Sequence, residues 1–169
     1  MRPRTPLAVV AIAGIAAAAA CQHHDPKQEL EVLDPETYWI LDSPRGKTQY
    51  MAPAIRLRVR NRSPEALRAI QATATFRRTG EDESWGSASE QVTRASRPLA
   101  PGKDVVVVLR SDGHYTSPGT PEMMFAHALF KDVRVEVFVR VGSSDWVKVA
   151  EAPIERRVGS KTVEPLVGP

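Results

Sequence analysis

The chain has 169 residues, with 23 Lys and Arg against 20 Asp and Glu, and its formal net charge is +3. Two of the arginines lie in the first four residues, so the remainder is nearly neutral. This excludes the broad basic surface typical of proteins that bind nucleic acid. A single cysteine cannot form an intramolecular disulfide, so a hydrophobic core must hold the fold together, and this length suits one domain.

The first 21 residues have the layout of a secretory signal peptide. A basic head, residues 1–6, precedes fourteen small or apolar residues, 7–20, and Cys21 follows directly. A transmembrane helix is one alternative, but a helix of that length rises only about 21 Å, against a hydrocarbon core of about 30 Å. A secretory signal that is cut after Ala20, with no role for the cysteine, is a second alternative.

The segment Ala18-Ala19-Ala20-Cys21 resembles the lipobox of bacterial lipoproteins. The resemblance implies that residues 1–20 are a signal peptide that is removed and that Cys21 becomes an acylated N-terminus. Two or three acyl chains attach a protein firmly to a membrane, whereas one chain binds only marginally. Gln22 stands where an aspartate favours inner-membrane retention. We therefore expect a lipid-anchored envelope protein, on the outer membrane facing the periplasm if the cell is Gram-negative.

Two further segments are predicted to lie outside the folded domain. Residues 21–35 are mostly polar and contain Pro26 and Pro35, which predicts a flexible tether after the lipidated cysteine. Such a tether spans about 20 Å. Residues 158–169 contain Gly and Pro and are predicted to be a disordered tail. The domain itself is predicted to comprise residues 36–157.

The sequence of this domain has the period of β-strands. Strict alternation of apolar and polar residues in Ile55–Arg60 and Val133–Val141 predicts half-buried strands. Further strands are predicted over Arg68–Arg77, Trp85–Val92, Asp104–Arg110 and Trp146–Ile154. The continuous valines of Asp104–Arg110 favour a strand that is covered on both faces or nearly so.

One helix is predicted between these strands. Thr120 is a suitable N-cap and Pro121 a suitable first residue, and the pattern ends near Lys131. Its apolar face would contain Met124, Phe125, Ala128 and Leu129. Six or seven strands with one short helix predict a mainly β fold, an antiparallel β-sandwich.

Part of the domain resembles FxLYD-type and related immunoglobulin-like or transthyretin-like lipoprotein domains. The matching features are Val59-Arg60-Asn61-Arg62-Ser63, then Phe76, then Leu99-Ala100-Pro101-Gly102 before a valine-rich strand. The family signature itself is absent, because Phe76 is followed by Arg77-Arg78-Thr79. The resemblance covers about a third of the chain and implies a sandwich fold, without functional residues.

Five arginines are the main candidates for ligand binding. If their strands pair, one surface would carry Arg56, Arg58, Arg60, Arg68 and Arg77. Arginine binds phosphate and carboxylate through two parallel hydrogen bonds, so such a surface could bind an anionic glycan or lipid. The alternative is a solvated face whose arginines discourage edge pairing and are answered by acids on neighbouring strands.

The residue types needed for catalysis are present but not in a suitable pattern. Ser111, Asp112 and His114 lie within four consecutive positions of a loop, which cannot supply the geometry of a catalytic triad. The histidines His23, His24, His114 and His127 lack the spacing of a metal site. We therefore expect that the protein is not an enzyme and that it binds neither a metal ion nor a cofactor.

Tyr115, Met123, Met124, Phe125 and Phe130 cluster around the predicted helix. Methionine and aromatic residues are common in docking surfaces, although they could equally form core beneath a helix that caps the sandwich. Trp39, Trp85 and Trp146 are expected to lie in the core or at its rim.

The expected function is that of a membrane-anchored, non-catalytic binding or assembly module with an envelope protein as its partner. The outer-membrane lipoprotein of type VI secretion is similar in plan, with a lipid anchor on a transthyretin-like sandwich. The alternative is an anionic glycan- or lipid-binding module that uses the arginine-rich face.

Overall fold

A computed structural model describes residues 24–42, 48–117 and 119–159. The expected signal peptide, Cys21 and residues 160–169 of the expected tail lie outside the described residues. Within those three ranges, no helix is both long enough and apolar enough to cross a lipid bilayer.

The described part contains nine strands and two short helices. In chain order they are α1 (Pro26–Glu29), β1 (Leu30–Leu41), β2 (Gln49–Asn61), β3 (Ile70–Arg78), β4 (Gly86–Gln91), β5 (Asp104–Arg110), β6 (Tyr115–Ser117), α2 (Pro121–Phe125), β7 (Val133–Val141), β8 (Val147–Pro153) and β9 (Val158–Gly159). All six strands expected from the sequence are present, and β1, β6 and β9 are additional.

The strands form two sheets, so the expected mainly β sandwich is confirmed. In the first sheet the order is β5-β2-β1-β9, with β6 also pairing with β2. In the second sheet the order is β4-β3-β7-β8. The pairs are antiparallel except for the short pair between β1 and β9, which is parallel.

The core lies between the two sheets and follows the alternation of the sequence. Ile55, Leu57 and Val59 of β2 are buried, and so is every second residue of β7 from Val133 to Val141. Full burial of such a side chain contributes about 1.5–3 kcal/mol. On β5 the inward residues Val107 and Leu109 are buried, but Val105 and the outward valines are only partly covered, because β5 is an edge strand with one face on the core. The prediction that both faces of this strand would be covered, or nearly so, was therefore wrong.

The segment expected to be a flexible tether is largely folded. Within residues 21–35, the described part contains α1 and the first half of β1, which pairs with β2 from Leu30 onward. Asp25 caps α1 by accepting a hydrogen bond from the backbone of Lys27, and Pro26 is buried. The polar composition misled the prediction, because pairing with β2 satisfies the backbone whatever the side chains are. The expected tail also differs, since Val158–Gly159 forms β9.

The strand register defines two ends of the sandwich. At the proximal end, where the described chain enters β1, Leu30 lies opposite Asn61; at the distal end, Leu41 lies opposite Met51. The second sheet has matching ends, marked by the pairs Ile70–Val141 and Arg78–Val133. The twelve residues of β1 separate the two ends by about 36 Å at roughly 3.3 Å per residue.

Candidate functional site

The five candidate arginines do not share a surface. Arg56, Arg58 and Arg60 lie on β2 in the first sheet, Arg77 lies on β3 in the second sheet, and Arg68 lies in the loop between the two strands. The strands β2 and β3 stack with their apolar faces together and do not pair edge to edge, because this buries Ile55, Leu57 and Val59 in the core. The expected two-strand arginine surface is therefore absent.

The arginines on the strands lie beside carboxylates of neighbouring elements and form ion pairs with them. Arg58 forms ion pairs with Asp34 and Asp104, and the hydrogen bond that its guanidinium donates to the Asp34 carboxylate is the main reason that its pKa is raised. Arg60 lies 3.9 Å from Glu31 and from Asp104, and Arg56 lies 3.9 Å from Glu36.

On the second sheet, Arg77 is bound to Glu136. The structure therefore agrees with the alternative interpretation, in which these arginines belong to a solvated sheet face with acids beside them.

The loop that contains serine, aspartate and histidine uses those groups for its own structure. Ser111 Oγ accepts a hydrogen bond from the backbone of Gly113 at 3.0 Å, and Asp112 Oδ1 accepts one from the backbone of Ser87 at 2.6 Å. His114 Nδ1 faces the carbonyl oxygen of Asp112, 3.3 Å away. Among the described residues, no cluster of three or more His, Cys, Asp or Glu side chains could hold a metal ion.

An aromatic cluster closes the distal end of the sandwich. Trp39 of β1 is fully buried, and its ring lies 5.8 Å from that of Tyr115, 6.0 Å from Phe125 and 5.5 Å from Phe130. Trp85 extends the cluster, 4.8 Å from the ring of Tyr115. These residues are core and rim, as the alternative interpretation of the sequence proposed.

The helix above this cluster is shorter than predicted. Thr120 caps it as expected, but α2 ends at Phe125 and residues 126–130 form turns. Both Phe125 and Phe130 pack on Trp39, and on one continuous helix two residues five apart would point about 140° away from each other. The chain therefore leaves the helix to place both rings on the core.

This break exposes two large apolar side chains. Met124 is buried as predicted, but Leu129, which was expected on the buried face, is 79% exposed, and Met123 is 65% exposed. Between them lies a groove of about 360 Å³, which we call the distal groove. Its lining comprises Tyr115, Thr116, Ser117, Gly119, Met123, Met124, His127, Leu129 and Phe130.

Three contacts hold the wall of the distal groove in place. The hydroxyl of Tyr115 donates to the carbonyl oxygen of Lys131 and accepts from its backbone N–H, both at 3.2 Å. Arg156 packs over the Phe130 ring and bonds to Asp132 through two nitrogens. The hydrogen bond from Arg156 lowers the pKa of Asp132. These contacts fix the wall of the distal groove against the rest of the domain.

A second, more polar cavity of about 320 Å³ lies on the outer face of the second sheet at the proximal end. Arg140 stacks on Trp146, with the guanidinium carbon 4.7 Å from the ring centroid, and donates to Gln71 at 2.6 Å. Gln71 donates in turn to Gln91 at 2.8 Å. Of these residues, only Trp146 was singled out from the sequence; it was expected in the core or at its rim, whereas it is 42% exposed. The other residues were not selected, because the strand register that brings them together is a long-range feature.

Comparison with known proteins gives no functional assignment. No protein-family model matches the chain, and no curated protein matches it. Among solved structures, the Northeast Structural Genomics Consortium target SoR45 is similar with a TM-score of 0.43 and 8% identity, over 77% of this chain and 89% of the other. A candidate ApaA protein from Bordetella pertussis, target BeR40, is similar with a TM-score of 0.40 and 16% identity, over 75% of this chain and 92% of the other. The fold described above rests on this chain's own sheets.

Proposed function

We propose that this protein is a lipid-anchored envelope lipoprotein that binds a protein partner, without catalysis, through the distal groove. The observation that carries the proposal is the groove itself, an apolar depression flanked by the exposed side chains of Met123 and Leu129. Exposed methionine and leucine beside aromatic rings are typical of surfaces that become buried when a protein partner binds.

The chemistry of the lining favours an apolar protein segment over an acidic ligand. The lining contains no Lys, Arg, Asp or Glu. A phosphate, or the carboxylate of an acidic glycan, would need cationic partners there, whereas an apolar side chain needs only shape and contact.

The position of the groove supports a protein partner over lipid. If Cys21 carries the anchor, the chain leaves the membrane and enters the sandwich at the proximal end. The distal groove would then lie about 36 Å from that end, beyond the reach of the lipid surface. A partner that protrudes into the periplasm could reach the groove, but the bilayer that holds the anchor could not.

The groove is tested by one charged substitution and a matched control. Leu129→Glu places a charge among the groove-lining residues, whereas Ala128→Glu places the same charge on the neighbouring exposed residue, which is not in the lining. Cross-linking in intact cells should capture one stoichiometric protein with the parent chain and with Ala128→Glu, but not with Leu129→Glu.

Two outcomes would contradict the groove proposal. Capture that is unchanged by Leu129→Glu would place the partner elsewhere on the molecule. A protein that is dimeric by light scattering, and monomeric only as Leu129→Glu, would place a second copy of the chain in the groove.

The anchor has a separate test. Cys21→Ser should abolish labelling by a radioactive or clickable fatty acid and should release the protein from the membrane fraction at high salt. A variant that remains membrane-bound at high salt would indicate an uncleaved helical anchor in place of lipid.

A further inference from the structure

Two loops at the proximal end carry positively charged side chains that form no ion pairs with acids among the described residues. The loop of residues 62–69 contains Arg62 and Arg68 with one acid, Glu65, and the stretch of residues 92–103 contains Arg94, Arg97 and Lys103 with no acid. All five cations are exposed. We call these five side chains the proximal basic patch.

Asn61 joins the two loops into one surface. Its buried side-chain amide donates to the carbonyl oxygen of Glu65 at 2.6 Å and to that of Leu99 at 2.8 Å. Its backbone N–H donates to the carbonyl oxygen of Lys103 at 2.9 Å, and Leu67 pairs with Leu99 through two backbone hydrogen bonds. The cations are therefore fixed on neighbouring turns at the end of β2.

The pairing of cations differs sharply between this region and the rest of the described chain. Eleven of the described Lys and Arg residues form ion pairs with carboxylates, most of them on the strands or at the distal end. The seven described ones that form none all lie at the proximal end: Lys27, Arg62, Arg68, Arg94, Arg97, Lys103 and Arg140. An exposed cation without a nearby acid costs little in water, so unpaired cations need not be confined to one end of the molecule. Their restriction to the proximal end points to an anion outside this chain.

Glu65 is the one acid within the two loops, and the other acids at the proximal end are either paired or lie outside these loops. Glu29 binds His24, Glu31 lies beside Arg60, and Asp104 binds Arg58. The other carboxylates of this end are Asp25, which caps α1, and Glu90 and Asp145, which lie on β4 and in the hairpin before β8. The positive surface is thus confined to the two loops.

The length of chain before α1 places this end close to the membrane. If Cys21 is acylated, only two residues, Gln22 and His23, separate it from His24, and these three residue steps span at most about 11 Å. The Asp25 cap, the burial of Pro26 and a 2.7 Å bond from the backbone of Arg62 to the carbonyl of Glu29 hold the following residues against the sandwich. A cation within about 8–10 Å of an anionic surface is attracted to it at physiological salt.

We propose that the proximal basic patch rests on anionic phospholipid headgroups of the membrane that holds the anchor. The partner is phosphate on a lipid surface, which arginine binds through two parallel hydrogen bonds. This contact would orient the sandwich upright, with the distal groove away from the bilayer. The inference rests on the proposed lipid anchor for its geometry, but headgroup binding by the patch can be measured without acylation.

The test uses the full chain carrying Cys21→Ser, mixed with vesicles of phosphatidylcholine alone or with 30% phosphatidylglycerol. Each cation near an anionic surface contributes about fivefold to binding. Co-sedimentation should be stronger on the anionic vesicles and should weaken with added salt. Arg68→Gln, Arg94→Gln and Arg97→Gln together should lower the apparent affinity by roughly a hundredfold.

The matched control removes the same charge elsewhere: Arg110→Gln, Arg134→Gln and Arg157→Gln. These three side chains are similarly exposed but pair with acids outside the patch. This variant should retain binding to the anionic vesicles. Equal loss with both triple variants would show that only net charge matters and would overturn the proposal, as would equal binding of the parent to both kinds of vesicle.

Tryptophan fluorescence gives a positional readout in the same samples. Trp146 is 42% exposed in the hairpin at the proximal end, whereas Trp39 is buried and Trp85 lies in the distal aromatic cluster. Brominated phosphatidylglycerol should therefore quench the parent, and Trp146→Phe should remove that quenching. Quenching that survives Trp146→Phe would mean that the other end faces the lipid, against the proposal. If Cys21→Ser keeps acylation or membrane attachment while these vesicle results hold, the anchor proposal fails and the patch stands.

Discussion

Replacing Asn61 with leucine should destabilise the domain by about 3 kcal/mol. The asparagine side chain is fully buried and makes three hydrogen bonds, two donated to the carbonyls of Glu65 and Leu99 and one accepted from the backbone of Ser63. Leucine has a similar volume but can make none of them. Each such bond contributes about 1 kcal/mol net.

The expected loss of stability stays near about 3 kcal/mol because the carbonyl oxygens of Glu65 and Leu99 each keep another hydrogen-bond donor when the amide is removed. Leu99 O still accepts from the backbone of Leu67, and Glu65 O still accepts from the hydroxyl of Ser63. Neither oxygen becomes a fully unsatisfied buried acceptor, which would add about 1–3 kcal/mol.

Urea unfolding followed by circular dichroism measures the effect. Ser63→Ala is the control, because it removes an exposed hydrogen bond of the same turn and should cost under about 1 kcal/mol. A loss under about 1 kcal/mol for Asn61→Leu, equal to that of the control, would refute the idea that Asn61 joins the two loops.

Three further predictions concern the two sheets and the distal end. Burial raises the pKa of Glu136, but hydrogen bonds from Arg77 and Lys148 outweigh it and leave the pKa below its ordinary value. The resulting stability is present above the unfolded pKa of about 4.3 and lost as the pH falls through the folded value, so the cost of Arg77→Gln in urea should shrink between pH 6 and pH 3; a constant cost would contradict this. Gly86→Ala should lower the melting temperature, because the new Cβ would clash with Ser111 Oγ and would lie 2.8 Å from the backbone nitrogen of Gly113; an unchanged melting temperature would show that the loop can move to accommodate the methyl group. Phe130→Ala should cost about 2–3 kcal/mol in urea unfolding, less than the roughly 3–5 kcal/mol of a fully buried phenylalanine because the ring is partly exposed, and a loss below about 1 kcal/mol would remove the Phe130 ring from the core.

The strands that alternate strictly could be predicted from the sequence. Val133–Val141 and Ile55–Arg60 become β7 and part of β2 with the expected faces, because side chains of a strand point alternately to its two sides whatever lies beside it. The first half of β1 could not be predicted, because Asp34 and Pro35 interrupt its pattern. There the register shifts between Leu33 and Glu36, and Asp34 adopts a positive φ of 48°. Pairing with β2 forms the strand despite that irregularity.

For the distal groove, the sequence predicted the types of residue that form it but not which of them are exposed. The cluster of Met and aromatic residues between 115 and 130 was visible in the sequence, but which of them would be exposed was not. Helical spacing puts Leu129 with Phe125, whereas the structure exposes Leu129 because Phe130 takes the place on Trp39. That choice depends on a ring of β1, about ninety positions earlier in the chain.

The sequence by itself determined which residues face inward on the alternating strands, and it places one cysteine directly after an apolar run. These are local properties, set by the two-residue period of a strand and by the order of residues along the chain. Tertiary structure decided that Arg77 and Arg58 lie in different sheets and that two basic loops meet at Asn61. It also decided that the chain enters the sandwich at the end opposite the distal groove. These are consequences of strand order and register, which depend on contacts between distant parts of the chain and leave no local periodic signal.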